Sequence, residues 1–317
     1  MSLLLSDAEL AARRAVVTGA LRPLADGLLA ELAPVLEERV EIPREKALLS
    51  RVGGRCPRDG MLLRFDPLDP RQVCPRCGLE GTGEWHDAFR PYWMQLWIAE
   101  RVLHAAVLGN LLGDERCTGT AWRLLDQYAE RYLEYPNRDN VLGPSRPFFS
   151  TYLESIWLLQ LVLALDLLES SDRAMATRGG RVRDRVIEPS IELVASYDEG
   201  FSNRQVWNNA ALVAAGSLLS RRALVDRALE GASGLRAHLE HALLGDGSWY
   251  EGENYHLFAH RGLWYAMTIA EHLGRPPEAS LRARFDDGFV SPFRTLLPDL
   301  TSRPGRDRYD RRRETAP

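Results

Sequence analysis

The sequence is poor in the features that assign a class at sight. No apolar run approaches the roughly 20 residues of a membrane span. The longest, IWLLQLVLALDLL from Ile156 to Leu168, is broken by Gln160 and Asp166 and reads as a buried helix. The start, MSLLLSDAELAARR, is apolar for only a few residues before its first acid. It is no secretory leader, and a cytoplasmic protein is expected. A surplus of charge of either sign is missing: 40 basic against 44 acidic side chains leave a formal net charge of -4. That removes any global attraction to nucleic acid or to an anionic membrane, and neither is expected as a partner. Cysteine is scarce, with four in 317 residues. Three of them, Cys56, Cys74 and Cys77, fall in one short stretch, and without a leader such a cluster favours metal binding over disulfides. There is no strict internal repeat, and strand-like alternation is nearly confined to residues 46–85.

What is present is helical periodicity. It predicts helices over 7–38, 88–110, 118–134, 151–170, 181–197, 203–220, 222–244, 253–273 and 279–294. Thr151 with Glu154 has the spacing of a capping box, and Ser202 with Gln205 that of a second. The helices pair across short polar loops, as in helical hairpins stacked into a solenoid or closed into a toroid. The expected organisation is a helical segment over 1–45, a Gly-, Pro-, Arg- and Cys-rich insert over 46–87, a helical array over 88–296 and a basic tail over 297–317. The tail has little that is apolar to pack and is expected to be disordered.

CPRDG at 56–60 and CPRCG at 74–78 share one form. C-P-x-C-G is a zinc knuckle: its glycine permits the tight bend, and its backbone N–H groups can point at thiolate sulfur. Two knuckles at this separation make a zinc ribbon. The first carries Asp59 where the second carries Cys77, so Cys56, Cys74 and Cys77 need a fourth ligand. Asp59 has the position for it, with His86 in reserve; thiolate is the softer ligand, but a carboxylate also binds zinc. Three thiolates and a carboxylate leave no open coordination position, so the zinc is expected to be structural. No organic cofactor is expected. Cys117, alone in DERCTG, is expected to be a surface or half-buried residue.

FSNRQVWNNAALVAAG opens a helix at Ser202 and places Asn203 and Arg204 in its first turn. Free backbone N–H groups and the positive end of the helix dipole suit an anion there. Spacing alone favours the plainer assignment, in which Asn203 only helps the cap, Gln205 completes the box and Arg204 is solvated. GDGSWYEGENYH, from Gly245 to His256, places a turn at Asp246 and Gly247 ahead of another helix. Tyr255, Phe258, Gly262, Tyr265 and Ile269 recur on one helical face, so periodicity by itself makes Tyr255 a core aromatic. His256 and His260 stand four apart without the H-E-x-x-H pattern or third ligand of a metal site. Glu251 and Glu253 could flank a sugar or favour the helix N-terminus.

In combination, DGSWYEGENYH, SNRQVWNNAALVAAG, RPFFSTYLESIWLLQLVLALDLL and the segment CPRDG…CPRCG…TGEWHDAFRPYWMQLWIAER resemble the heparinase II/III-like polysaccharide lyase family. The resemblance spans residues 50–300 and implies an all-α fold, an incomplete α/α toroid of helical hairpins with a small zinc-ribbon-like insertion. It implies cleavage of a uronic-acid-containing glycan by β-elimination. Tyr255 resembles the catalytic tyrosine, acting as acid and also as base. Asn203 resembles the amide that neutralises the uronate carboxylate. Arg204 stands where related enzymes often have histidine; it can neutralise a carboxylate but cannot act as a base near neutral pH. Gln205, Glu251 and His256 are the implied substrate-binding groups, with Tyr92, Trp93 and Trp157 as sugar-stacking aromatics or, equally, core packing.

The family's large β-sandwich domain has no counterpart in this sequence, and His238, His241 and His272 match no motif that would replace the histidine it usually supplies. The expectation is a truncated enzyme or one part of a split one, its partners an acidic polysaccharide and a separately encoded β-sandwich domain. Two other readings remain. One is a non-catalytic α/α-toroid module that binds a glycan or a protein. The other is a hydrolase drawing paired carboxylates from Asp246, Glu251 or Glu253.

Overall fold

Two units divide the chain, Met1–Tyr197 and Asp198–Pro317, and this computed structural model describes residues 2–50, 52–171 and 176–294. The expected tail, 297–317, lies outside the described residues. Apart from a two-stranded ribbon in the insert, the described architecture is all-α.

In the first unit the single helix expected over 7–38 is two. α1 (Asp7–Val17) starts from a reciprocal box between Ser6 and Glu9. The chain turns after it, and α2 (Arg22–Leu36) restarts with Pro23 in its first turn, where a missing N–H is no loss. α3 (Glu84–Leu112) begins four residues earlier than periodicity indicates and stops at Gly113, whose left-handed φ of 68° ends the helix. α4 (Glu115–Arg131), capped by Asp114, runs into one tighter turn at Tyr132–Glu134. α5 (Thr151–Ser171) packs on α3 and α4. α6 (Ala176–Val182) continues through a widened turn, Arg183–Ile187, into α7 (Glu188–Ala195). By length and composition α5 could cross a membrane, but most of it is buried within the protein, as in a core helix.

The expected Thr151–Glu154 capping box does not form. Thr151 Oγ1 donates to the Pro144 carbonyl oxygen at 2.8 Å instead. Glu154, fully buried, accepts from the Tyr132 hydroxyl, from Ser190 Oγ at 2.7 Å and from Arg146 N at 2.8 Å. A buried carboxylate needs several donors, and that demand overrides the cap. The chain's single lysine, Lys46, is likewise buried and donates to Pro136 O (3.0 Å), Asn140 Oδ1 (2.7 Å) and Ser145 O (2.6 Å). Burial lowers its pKa to about 8.

The insert pairs β1 (Gln72–Val73) antiparallel with β2 (Glu80–Gly81) and adds bridges at Arg55–Leu62 and Arg64–Val73. It lies against α3 through Gly54, where a Cβ would come within 2.5 Å of Phe89 and 2.9 Å of Trp93.

In the second unit α8 (Asn203–Leu218) packs on α9 (Arg222–Glu230) and α11 (Glu253–His272). The helix expected over 222–244 is interrupted at Gly231–Gly234 and resumes as α10 (Leu235–His241). A Cβ on Gly231 would sit 2.4 Å from the Arg227 carbonyl oxygen, so glycine allows the break. The helix expected over 279–294 also divides, into α12 (Ala279–Asp287) and α13 (Ser291–Arg294). α8 is buried nearly all round, with Trp207 lying 5.4 Å from Phe258 and 6.0 Å from Tyr265 of α11.

Candidate functional site

Two places concentrate chemistry. In the insert, the two knuckles match hydrogen bond for hydrogen bond. Cys56 N donates to Met61 O at 2.7 Å as Cys74 N donates to Leu79 O at 2.8 Å. Gly60 N returns to Cys56 O at 2.9 Å as Gly78 N returns to Cys74 O at 3.0 Å, with φ of 72° and 71° at the two glycines. Met61 N points at Asp59 Oδ1 (3.1 Å) as Leu79 N points at Cys77. Asp59 thus occupies the position of a knuckle's second cysteine. The ligand atoms of Cys56, Asp59, Cys74 and Cys77 all lie within 4.8 Å of one another, a set able to hold a metal ion. The Met61 N–H, ahead of the opposing effect of burial, holds the Asp59 carboxyl below the ordinary carboxylate range, and the three thiols add to it. That keeps the carboxylate ionised, the form a metal needs. His86 stands outside this set, and its Nδ1 accepts from Gly54 N at 3.3 Å.

The second place is the start of α8 with the turn before α11. Ser202 Oγ accepts from Gln205 N at 3.1 Å, as the cap requires. Half of the expected box is missing, because the Gln205 side chain turns inward. Its Oε1 accepts from Glu199 N (2.9 Å) and Asn208 Nδ2 (3.2 Å), and its Nε2 donates to Asn209 Oδ1 (3.0 Å). The anion expected at this helix start is supplied from within. Glu251 Oε2 accepts from Asn203 N (2.7 Å), Asn203 Nδ2 (2.9 Å) and Trp249 Nε1 (2.8 Å). Asn203 is 3% exposed. Arg204 Nε is paired with the carboxylate of Glu199, whose side chain is buried.

The turn itself is built by Asp246, whose Oδ1 accepts from Ser248 N (3.0 Å) and Oγ (2.6 Å). Gly247 has φ of 80°, and a Cβ there would lie 2.4 Å from Gly288 N, so glycine is required twice over. Tyr255 lies in the first turn of α11 and is half-buried. The next residue, His256, is buried. Its Nδ1 accepts from Trp249 N at 3.0 Å, and its Nε2 donates to Gly288 O at 2.8 Å.

The structure therefore brings Asn203, Glu251 and the start of α11 together, and it gives Gln205 and His256 internal partners in place of a substrate. The three expected stacking aromatics belong to the first unit. Trp157 is fully buried, edge-on to Tyr128 at 5.0 Å and stacked on Tyr132 at 5.6 Å. It has no free face for a sugar, and that expectation is corrected. Trp93 closes the ribbon's base with Phe65 (5.7 Å) and Phe89 (5.0 Å). Tyr92 lies between Phe89 (4.9 Å) and Phe149 (6.0 Å), and burial pushes its phenol up. Cys117 is fully buried, not half-exposed, and burial raises its thiol to about 11. Sequence reasoning missed Trp249 and Glu199 as partners of Glu251 and Arg204; only the proximity of Trp249 to Glu251 in GSWYE hinted at the first. No protein-family model matches the chain, and no curated protein matches it in sequence.

Proposed function

We propose that this chain is a polysaccharide lyase-type protein that cleaves a uronic-acid-containing glycan by β-elimination, its helices forming part of an α/α toroid. The reading rests on the sequence resemblance and, in the structure, on one observation. Glu251 bonds Asn203, and so ties the start of α8 to the turn from which α11 and Tyr255 begin. In the reaction the C5–H bond breaks, a C4=C5 double bond forms, the C4–O4 bond breaks and O4 takes up a proton. Negative charge developing at C5 spreads onto the uronate carboxylate, where amide and guanidinium donors stabilise it. The Tyr255 phenolate takes the C5 proton and the phenol returns it to O4, leaving the enzyme unchanged. In the insert, Cys56, Asp59, Cys74 and Cys77 hold zinc as a closed, structural site.

A second reading, a glycan- or protein-binding module without turnover, is favoured by the burial of Asn203 and the pairing of Arg204 with Glu199. One experiment separates them. The purified chain is incubated with alginate, heparan sulfate, hyaluronan and pectate, and absorbance of an unsaturated uronate is followed at about 230–235 nm. The lyase reading expects product from at least one glycan and a loss of about 100-fold or more in Tyr255→Phe. No product from any of the four sinks it, and glycan binding retained in Tyr255→Phe then identifies a binding module. A saturated reducing end among the products would mean hydrolysis instead.

A further inference from the structure

The three cysteines of the insert are free thiols, and they are not equivalent. Cys56 and Cys74 are 3% and 2% exposed, whereas Cys77 is only half-buried. Their contacts differ as well. Cys56 Sγ and Cys77 Sγ lie 3.6 Å apart, across the two knuckles. Cys74 Sγ faces Asp59 instead, at 3.6 and 3.5 Å from its two carboxylate oxygens. The same side chains make the insert's small core. Cys56 and Cys74 pack with Leu63, and Cys77, Leu79 and Trp93 lie against them. The fourth cysteine, Cys117 in α4, is fully enclosed.

A thiolate that solvent reaches, with a second thiolate in contact behind it, is the arrangement that peroxide oxidises to a disulfide. The two sulfurs need only close from 3.6 Å to the roughly 2 Å of an S–S bond. We propose that Cys77 is a site of oxidation by peroxide and that Cys56 is its resolving thiol, so that one disulfide between the knuckles dismantles the metal set. The step balances. The Cys77 thiolate takes an oxygen from hydrogen peroxide as the O–O bond breaks, which leaves a sulfenic acid and releases hydroxide. The Cys56 thiolate then attacks the Cys77 sulfur. The S–S bond forms, the S–O bond breaks and a second hydroxide leaves. The two sulfurs give up two electrons, and peroxide takes both. Cys74 and Asp59 remain, two ligands where a structural zinc needs four. Asp59 sharpens the response, because a carboxylate is the harder ligand and a single thiolate is all that the oxidation spares. A dithiol reductant reverses the change by thiol–disulfide exchange. The proposal rests on the metal reading of the insert and not on the elimination reading.

The test exposes the full, zinc-loaded chain to hydrogen peroxide. Released zinc is followed with a colorimetric chelator. The oxidised chain, its remaining thiols blocked, is then digested with trypsin without reduction and mapped by mass spectrometry. Cleavage after Arg55, Arg58, Arg71 and Arg76 puts Cys56, Cys74 and Cys77 on separate peptides, so the pairing is read directly. The expected result is one zinc lost per disulfide formed, the Cys56 peptide joined to the Cys77 peptide, and Cys117 unmodified. Zinc binding should return after treatment with a dithiol. Cys117→Ser should respond to peroxide as the parent does. Zinc retained under peroxide overturns the proposal and leaves the metal reading standing. So does a main product that joins Cys74 to Cys77 or to Cys56, or a Cys77 sulfinate without a disulfide. A chain that holds no zinc before oxidation overturns both.

Discussion

Glu251 takes both amide donors of Asn203 on a single carboxylate oxygen, at 2.7 and 2.9 Å, across 48 residues of chain. The carboxylate thereby caps α8 and compensates the positive end of its dipole. Removing it leaves two amide groups and the Trp249 indole N–H unpaired. Glu251→Ala is expected to cost about 2–4 kcal/mol of stability, since hydrogen bonds to a charged group are lost and buried donors are left unmatched. Glu251→Gln, which keeps an acceptor oxygen, should cost clearly less. Urea denaturation of both variants reads this directly, and an unchanged midpoint for Glu251→Ala would remove the capping role.

The metal set predicts one divalent ion per chain by elemental analysis. Cys74→Ser and Asp59→Ala should each lower metal affinity, and Asp59→Cys, which completes four thiolates, should raise it by about tenfold or more. Cobalt substitution checks the ligands, because the thiolate charge-transfer band should strengthen in Asp59→Cys. Equal metal content and affinity in the parent and Asp59→Ala would show that Asp59 is not a ligand.

Trp157 is fully enclosed by Tyr128 and Tyr132. Trp157→Ala should therefore destabilise the fold by about 3–5 kcal/mol, as truncation of a buried aromatic does. Chemical denaturation measures it. A loss of less than 1 kcal/mol, about the level of a surface change, would contradict the packing.

His260 lies between Phe285, stacked at 4.1 Å, and His256 at 5.1 Å, with Phe289 edge-on at 4.8 Å. Burial foremost lowers its pKa to about 4, against the opposing effects of a hydrogen bond to the Phe285 backbone and of the Asp286 charge. The sign follows from proton binding. Between the folded value and the unfolded value of about 6.5, the unfolded chain holds more protons, so stability falls as pH falls from about 6.5 towards 4. His238, also lowered by burial, adds to the same trend. Denaturation midpoints at intervals from pH 7 to 4 should decline, and His260→Phe should flatten the profile. An identical slope in that variant would assign the dependence elsewhere.

The helices most legible in the sequence were those whose periodicity ran unbroken. α5 and α8 start where their spacing indicates, and α8 carries the Ser202 cap that it implies. The breaks at Thr18–Leu21 and at Gly231–Gly234 were not legible, because apolar spacing continues across both while the backbone turns. The twin knuckles were legible down to the position of Asp59, since a turn of five residues is a local structure set by its own glycine and N–H groups.

What only tertiary structure decided was the partner of each buried polar group. Glu154 had the spacing of a cap residue and became the acceptor for Tyr132, Ser190 and Arg146. The α8 start had the chemistry of an anion site, and Glu251 filled it from 48 residues away. Tyr255 was a core aromatic by periodicity alone and lies half-buried at the start of α11. Local spacing sets backbone conformation within a turn or two. The pairing of a buried carboxylate or amide depends on which distant donors packing delivers, because desolvation makes leaving such a group unpaired costlier than any local alternative.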